Sequence, residues 1–450
     1  MEFLSDSPSP RIAILGFGYI GTCLGTALAE RGMTVVGVDS DAPMIAGLRA
    51  GRCAIPEPGL AEALAPLVAS GRLACTTDYD VLADADVVLI TVGTPVDGNG
   101  ALVTAQLEEA CRQLAPRLRA GQLVILKSTV APGTTRTLVV PLLESGGLAE
   151  GRDFGLAYCP ERLAEGDALA QLRELAVVVG GCGPGVTAAA ARFWKAALGV
   201  PVRIVPTADI AEIVKLAGNW WIDANVAMAN ELARFCALFE VDVMEVIAAA
   251  NSLPKGDGRV NILRPGTGVG GPCLTKDPWM TWRTARDRGV RLRTVETARH
   301  VNDAMPEYAY EVIRDGLAKL GKDLASAKIA VLGAAFKNDT GDLRNTPARG
   351  VVRALQAAGA EVRVFDPLAD RERIRAEVGG SPADDLDQAV EGADSVAFLA
   401  GHRGFHGIDL ERLRRLVAMP CLVFDGRMHY PAETIQRLRD LGFGYRGIGR

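Results

Sequence analysis

The sequence predicts an α/β protein built from two doubly wound domains joined by a long central helix and a helical domain. Three observations lead there. Short buried strand patterns alternate with helical stretches over residues 11–206 and again over 311–450, which is how a parallel sheet covered by helices reads in sequence. Between the two series, apolar residues recur at helical spacing from Asp209 onward, the mark of a long amphipathic helix. The first strand pattern also opens into a glycine turn that a helix follows. A chain of 450 residues has room for this many layers, each with its own core. The expected divisions are a loose Ser/Pro-rich tail at 1–10, a first domain at 11–206, a central helical domain at 207–310 and a second α/β domain at 311–450.

Composition removes several classes. Hydrophobic residues make up 49% and charged residues 23%, as in an ordinary globular protein. A net charge of −5 argues against a nucleic-acid surface and still allows a local basic pocket. The nine cysteines are scattered, without a Cys-x-x-Cys pair or a Cys/His cluster, so neither a disulfide framework nor a metal site is expected. No apolar run has the length of a membrane span and the opening residues lack a basic start, so the expectation is a cytoplasmic protein without membrane attachment.

Taken in order, Ile12-Ala13-Ile14-Leu15 is a buried strand. It meets Gly16-Phe17-Gly18-Tyr19-Ile20-Gly21, a helix from Thr22 to Arg31, and a second strand from Thr34 to Val38 that ends at Asp39. This is Gly-x-Gly-x-x-Gly in the strand–turn–helix context it requires, which predicts a Rossmann-like dinucleotide site. Gly16 makes the tight turn, Gly18 lets a pyrophosphate approach, and Gly21 packs helix on strand. The positive helix end faces the phosphates. Gly16, Gly18, Tyr19, Ile20 and Gly21 are therefore candidate cofactor residues. Asp39 suits a ribose hydroxyl and would repel a 2′-phosphate, so the expected cofactor is NAD.

Further strands are expected at 87–91, 123–126, 155–158, 176–179 and 202–205. Ligands of such sheets collect at the carboxyl ends of the strands, so the residues after each strand matter. They are Val92-Gly93-Thr94-Pro95, then Lys127-Ser128-Thr129, then Cys159-Pro160-Glu161-Arg162-Leu163-Ala164-Glu165. Thr94, Thr129, Glu161, Arg162 and Glu165 are the candidates there; each alone reads equally as a capped helix start.

On the long helix, Ile210, Ile213, Val214, Ala217, Trp221, Ala224, Met228 and Leu232 share one face, which suits a helix shared between domains or subunits. Lys215 and Asn219, four apart, emerge together one turn from each other. The loop Asn261–Asp277 follows, crowded with glycines around Cys273, with Lys276 and Asp277 three and four residues on. A thiol in such a loop, beside a cation, has the surroundings of a nucleophile. In the last domain, strands are expected at 328–332, 361–365, 395–399 and 422–424. Gly333-Ala334-Ala335-Phe336 replaces the glycine turn, and Lys337, Arg344 and Arg427 would favour anionic oxygens.

These stretches resemble the UDP-glucose/GDP-mannose dehydrogenase family, the nucleotide-sugar 6-dehydrogenases, over nearly the whole chain. The resemblance is carried by the glycine turn, Ile55-Pro56-Glu57-Pro58-Gly59-Leu60, Ser128-Thr129-Val130, Pro160-Glu161-Arg162, Val214-Lys215-Leu216-Ala217-Gly218-Asn219, the cysteine loop, and Phe336-Lys337-Asn338-Asp339-Thr340-Gly341-Asp342-Leu343-Arg344. It implies NAD-dependent, four-electron oxidation of a hexose primary alcohol to a carboxylate through a thiohemiacetal and thioester on Cys273. By the same resemblance Lys215 and Asn219 stabilise the oxyanion, Thr129 and Asp277 hold the hydrolytic water, and Glu161 assists its deprotonation. Arg162, Glu165 and Gly270 would line the sugar site, and Lys337 and Arg427 would hold the diphosphate. Arg259 matches an arginine that reaches into a partner subunit, so a homodimer or higher homo-oligomer is expected.

Arg259-Val260-Asn261-Ile262-Leu263, the Gly-Val-Gly-Gly form of the loop and Asp277-Pro278-Trp279 resemble the UDP-N-acetylhexosamine branch, whose products are of the kind used in polysaccharide biosynthesis. Pro272, Lys276 and the pair Trp220-Trp221 depart from that pattern. UDP-glucose is the alternative substrate. A single-step β-hydroxyacid-type dehydrogenase would leave the cysteine loop and the last domain without a purpose. A non-catalytic NAD-binding scaffold would leave the whole constellation without one.

Overall fold

A computed structural model describes residues 10–256 and 258–450. The expected tail at 1–10 therefore lies outside the described residues, except for Pro10, which is buried. The chain forms two compact units, Met1–Gly218 with Trp279–Val290, and Asn219–Pro278 with Arg291–Arg450.

The first unit holds an eight-stranded sheet: β1 (Arg11–Leu15), β2 (Thr34–Val38), β3 (Leu73–Thr76), β4 (Val87–Ile90), β5 (Leu123–Leu126), β6 (Gly155–Tyr158), β7 (Val177–Gly181) and β8 (Val202–Ile204). Its order is β3-β2-β1-β4-β5-β6-β7-β8. The first six strands are parallel in the doubly wound order of a dinucleotide-binding domain. β4, β5 and β6 are buried throughout, as runs of Val, Ile and Leu between two helical layers must be. One face packs Phe17, Leu24, Leu28, Phe193 and Trp194; the other packs Ile90, Leu107, Val124, Phe154 and Leu156.

Two features depart from the sequence reading. β3 is absent from it, because Leu73-Ala74-Cys75-Thr76 is a four-residue edge strand with alternating exposure and no continuous apolar run. β7 runs antiparallel to β6, so the sheet is not parallel throughout. The reversal has a positional result: the whole connection 159–176 begins and ends at the carboxyl edge of β6.

In the second unit a small hairpin of β9 (Pro254–Lys255) and β10 (Gly258–Arg259) precedes a six-stranded, all-parallel sheet. Its strands are β11 (Lys328–Leu332), β12 (Glu361–Phe365), β13 (Ser381–Pro382), β14 (Ser395–Phe398), β15 (Leu422–Asp425) and β16 (Gly444–Gly447). They lie in the order β13-β12-β11-β14-β15-β16, which repeats the order of β3-β2-β1-β4-β5-β6. β13 and β16 escape sequence reading because two residues, or a Gly-Tyr-Arg-Gly run, carry no strand pattern.

The long helix spans Ala208–Ala237, about 45 Å at 1.5 Å per residue. Its apolar stripe is not its buried face. Ile213, Trp221 and Met228 are 51%, 49% and 47% exposed, and Phe235 on the last turn is 57% exposed. The buried positions are instead Glu212, Lys215, Asn219, Asp223 and Asn230, interleaved with Ala211, Leu216, Ala227, Ala229 and Ala233. A helix that buries its polar face does so because that face has partners to meet.

Candidate active site

The glycine turn has the shape its spacing predicts. Gly16 sits at φ +91°, and a side chain there would collide with Val92, 2.8 Å from an ideal Cβ. A Cβ on Gly21 would stand 2.2 Å from the Gly16 carbonyl. At Gly18, by contrast, nothing lies within 4 Å, and the helix Tyr19–Glu30 starts there without a side-chain cap. The open N–H groups of that first turn, with their partial positive charge, fit a pyrophosphate. Asp39 follows β2 and fixes the turn by accepting the Phe17 amide on Oδ2 at 2.7 Å. The turn Gly16–Gly21 thus keeps the open geometry that its spacing predicts, with Asp39 beside it at the end of β2. Thr94 is buried beyond β4.

Beyond β5 and β6 the residues are held by charge. Lys127 is buried, its Nζ 3.3 Å from Glu161 Oε2, 3.4 Å from the Cys159 carbonyl and over the Trp194 ring at 5.0 Å. Glu161 Oε1 accepts the amides of Arg162 and Leu163 at 2.7 and 2.9 Å. The carboxylate is therefore fixed from both ends, beside a cavity of about 30 Å³ lined by Lys127, Pro160, Glu161 and Trp194. Arg162 is exposed and turns its guanidinium to the Ala176 carbonyl. Thr129 is half-buried in a loop whose Ser128 hydroxyl donates to Val92 O at 2.7 Å. Thr134 donates to Ala131 O at 2.6 Å rather than capping a helix. The cap there is Glu212, fully buried, which takes the Gly133 and Thr135 amides at 2.5 and 2.8 Å and the Thr135 hydroxyl at 2.6 Å. Burial raises its pKa against these bonds. Glu212 lies one turn before Lys215, so the helix that carries Lys215 is fastened to the Thr129 loop.

In the second unit Asp277 is fully buried. It receives the Asn219 amide on Oδ2 at 2.5 Å and the Lys276 ammonium on Oδ1 at 2.6 Å. Cys273 is exposed, and its carbonyl accepts the Lys276 and Asp277 amides at 3.1 and 2.9 Å, so the thiol stands one turn before the helix Asp277–Arg286. The loop is tied at many points. Asn225 and Asn251 bracket Asn261, Ile262 and Leu263 through their backbone, and Gly271 N–H donates to Arg344 O at 3.0 Å. Gly270 and Gly271 are required by packing: a Cβ on either would lie 2.6 Å from Phe336.

Beneath the loop lies a fully buried polar network. Arg299 Nη1 donates to Asp223 Oδ1 at 2.6 Å and to Leu274 O at 3.3 Å. Asn302 donates to Asp223 at 2.8 Å, and Asn230 bonds Asn302 at 2.9 Å while accepting the Gly266 amide at 2.9 Å. The two ends of the loop, Gly266 and Leu274, thus share one set of partners. Arg427 donates to the carbonyls of Leu399 and Phe336, both at 2.8 Å. Burial pulls its guanidinium down to about 10, so it is still charged at neutral pH, as an anion site requires. Lys337 is half-buried, Arg344 is held by Asp342, and Arg259 is exposed on the hairpin. Among the described residues no group of three His, Cys, Asp or Glu side chains is arranged for a metal ion.

Sequence reasoning gave no role to Lys127, Glu57 or Glu212. A lysine directly after an entirely apolar strand was the signal for the first. Glu212, three residues before Lys215 and on the same helical face, was the signal for the last.

The thiols differ in a way that can be measured. Burial pushes Cys111, Cys159, Cys182 and Cys421 up to about 12 and Cys75 up to about 11, and it raises Cys23, Cys53 and Cys236 as well. Because the thiolate is the reacting species, iodoacetamide at pH 7.5 should alkylate the exposed Cys273 about a hundredfold faster than Cys75, Cys111, Cys159, Cys182 and Cys421, read by peptide mass spectrometry.

The strand order of the first sheet and the glycine turn that opens the helix Tyr19–Glu30 define a dinucleotide-binding protein. The chain belongs to the UDP-glucose/GDP-mannose dehydrogenase family. It matches that family's NAD binding domain over residues 10–197, its central domain over 209–304 and its UDP binding domain over 330–432. It is 35% identical to UDP-N-acetyl-D-mannosamine dehydrogenase of Pyrococcus horikoshii, over 98% of this chain and 99% of that one. The structure of the UDP-N-acetyl-D-mannosamine dehydrogenase from that organism superposes with a TM-score of 0.87 at 33% identity, covering 98% of this chain and 99% of that chain. NDP-N-acetyl-D-galactosaminuronic acid dehydrogenase of Ralstonia nicotianae is 35% identical over 97% of this chain and 100% of its own length. A UDP-glucose dehydrogenase structure from Pyrobaculum islandicum gives a TM-score of 0.86 at 31% identity, with 99% of each chain covered. The protein is thus an NAD-dependent nucleotide-sugar dehydrogenase. Among the described residues no helix is long and apolar enough to cross a membrane.

Proposed function

We propose that the protein oxidises the primary alcohol of a UDP-N-acetylhexosamine to the uronic acid in two NAD-linked steps. The observation that carries the reading is Cys273, an exposed thiol on a loop tied at both ends, four residues before a buried aspartate that is paired to Asn219 and Lys276. NAD, when bound, accepts a hydride from the sugar carbon in each step. After the first hydride leaves, the aldehyde has none to give until a nucleophile adds. The Cys273 thiolate supplies it, and the resulting thiohemiacetal alkoxide takes a proton. Lys215 and Asn219 stabilise that developing oxyanion, a role typically contributing a few kcal/mol per donor. Loss of that hydroxyl proton together with the second hydride gives a thioester. Water positioned by Thr129 and Asp277 and deprotonated with help from Glu161 then releases the acid and restores the thiol.

Lys337 and Arg427 act on the diphosphate, Arg162 and Glu165 on the sugar side. Arg259, exposed on its hairpin, serves a partner subunit's site in a homodimer. The uncovered stripe of Ile213, Trp221 and Met228 supports that association, since an apolar strip of this length is a liability unless another copy covers it. The three matched domains run from residue 10 to 432, and the reaction assigns the first to NAD, the central helices to the thiol and the last to the nucleotide. A cytoplasmic location fits nine cysteines that form no disulfide, six of them buried.

Two NADH should form per sugar consumed, read at 340 nm against product quantified by mass spectrometry. A ratio of one with a carbonyl product would favour single-step chemistry. Overall shape does not select the sugar, because the N-acetylmannosamine and glucose enzymes superpose almost equally well. The names of the two 35% relatives and the spacing of Arg259, fourteen residues before Cys273, support an acetamido sugar. Such a pocket loses about 1–3 kcal/mol when the acetamido partner is left unpaired. In a panel of UDP- and GDP-sugars, kcat/KM for UDP-N-acetylmannosamine or UDP-N-acetylglucosamine should therefore exceed that for UDP-glucose by about tenfold or more. Equal efficiency would point to UDP-glucose.

A further inference from the structure

Glu57 belongs to none of the roles above, yet it is among the few carboxylates of the first unit that are buried, with 6% exposure. Its two oxygens serve two different places. Oε1 accepts the amides of Ala168 and Leu169 at 2.7 and 3.4 Å. Oε2 accepts the Gly166 amide at 2.7 Å and the phenol of Tyr19, whose oxygen is itself 3.3 Å from the Gly166 nitrogen. A carboxylate that merely capped the short helix Ala168–Leu172 would need only the first pair. The second oxygen joins the loop that begins at Glu161 to Tyr19, the first residue of the helix whose open N-terminus takes the pyrophosphate.

The surroundings agree. The Cys23 thiol, one turn along that helix, is pushed up first by burial and then by the charges of Glu57, Cys53, Glu161 and Glu165, so these carboxylates converge on the start of the helix. Because Tyr19 and Gly166 share one oxygen, displacement of the phenol by a cofactor alters the bond that holds Gly166.

We propose that Glu57 is a positioning residue that transmits NAD occupancy from the glycine turn to the loop Pro160–Gly166. The idea deepens the functional reading, resting on it for the use of Glu161 and Glu165 by substrate. Amide hydrogen exchange over residues 160–169 in the full chain, with and without saturating NAD, tests it. In the unaltered protein NAD should slow exchange at Gly166 and Ala168 by about tenfold. Tyr19→Phe keeps the ring and the Glu57 bonds to both amides. It should leave basal exchange there within about threefold while reducing the NAD response to about threefold or less. Glu57→Gln, which turns a donor toward the amides, should raise basal exchange by about tenfold or more. An undiminished NAD response in Tyr19→Phe, or unchanged basal exchange in Glu57→Gln, would overturn the proposal. NAD binding is followed separately by calorimetry. Absence of binding in the unaltered protein would count against the cofactor site itself, whereas binding without any slowing would overturn the coupling alone.

Discussion

Cys273→Ser should lower steady-state turnover by on the order of 10³-fold or more. A serine hydroxyl at this position ionises far less readily than a thiol. The first hydride transfer asks nothing of residue 273, so the variant should still give up to one NADH per site in a single turnover and then stall. Binding of NAD and of the nucleotide should be nearly unchanged, because the side chain is exposed and contributes nothing to a core. Rapid-mixing absorbance at 340 nm separates the two phases. Full steady-state activity would sink the covalent route, and loss of the first NADH would mean that the cysteine acts earlier than proposed.

The second large effect lies away from the chemistry. Asp223→Ala removes the buried carboxylate from the network beneath the cysteine loop and leaves Arg299, 1% exposed, with only the half-exposed Asp303 as its ion-pair partner. Breaking one side of such a pair costs about 3–5 kcal/mol. Denaturant unfolding followed on the second unit should show this loss. Pairing the change with Arg299→Met should recover part of it, because a guanidinium that has lost its buried partner no longer has to be desolvated. Activity should fall with the first change even below the denaturation threshold, since Arg299 and Asn230 hold the two ends of the loop that carries Cys273. A single change of under about 1 kcal/mol would mean that the network is solvated in solution.

Much of this was legible in the sequence where local rules and the fold agree. Gly16 and Gly21 announce their turn because only glycine tolerates the contacts found there, Gly18 keeps the space in front of the helix open, and β4, β5 and β6 announce themselves as unbroken apolar runs. The long helix was legible in extent but not in orientation. Its periodicity gathered Ile213, Trp221 and Met228 on one face, suited to a neighbouring domain or subunit, but gave no sign that Glu212, Lys215, Asn219 and Asp223 are the residues inside. Sequence pattern assumes that charge seeks water, and it fails where charge seeks a buried partner far along the chain. Asp223 meets Arg299, Glu57 meets Tyr19, and Lys127 meets Glu161. None of these pairings has a helical or strand spacing to betray it. The edge strands β3, β13 and β16 were lost for the opposite reason, being too short and too exposed to carry any pattern.

The two sheets share a strand order, but the turn after β11 is closed to a dinucleotide. The amides of Ala334 and Ala335 are taken by Asp366, which His402 Nε2 holds at 3.0 Å. The next helix starts only at Ala348, so no helix end faces that turn. With one open glycine turn of this kind among the described residues, the two hydride transfers proposed above imply that spent cofactor leaves and fresh cofactor enters while a half-oxidised sugar waits. The waiting period sets a race between dinucleotide exchange and escape of a reactive aldehyde. On that proposed route a covalent tether to sulfur wins the race, and the residence time of the adduct, rather than the speed of either hydride step, then governs how little intermediate leaks into solution.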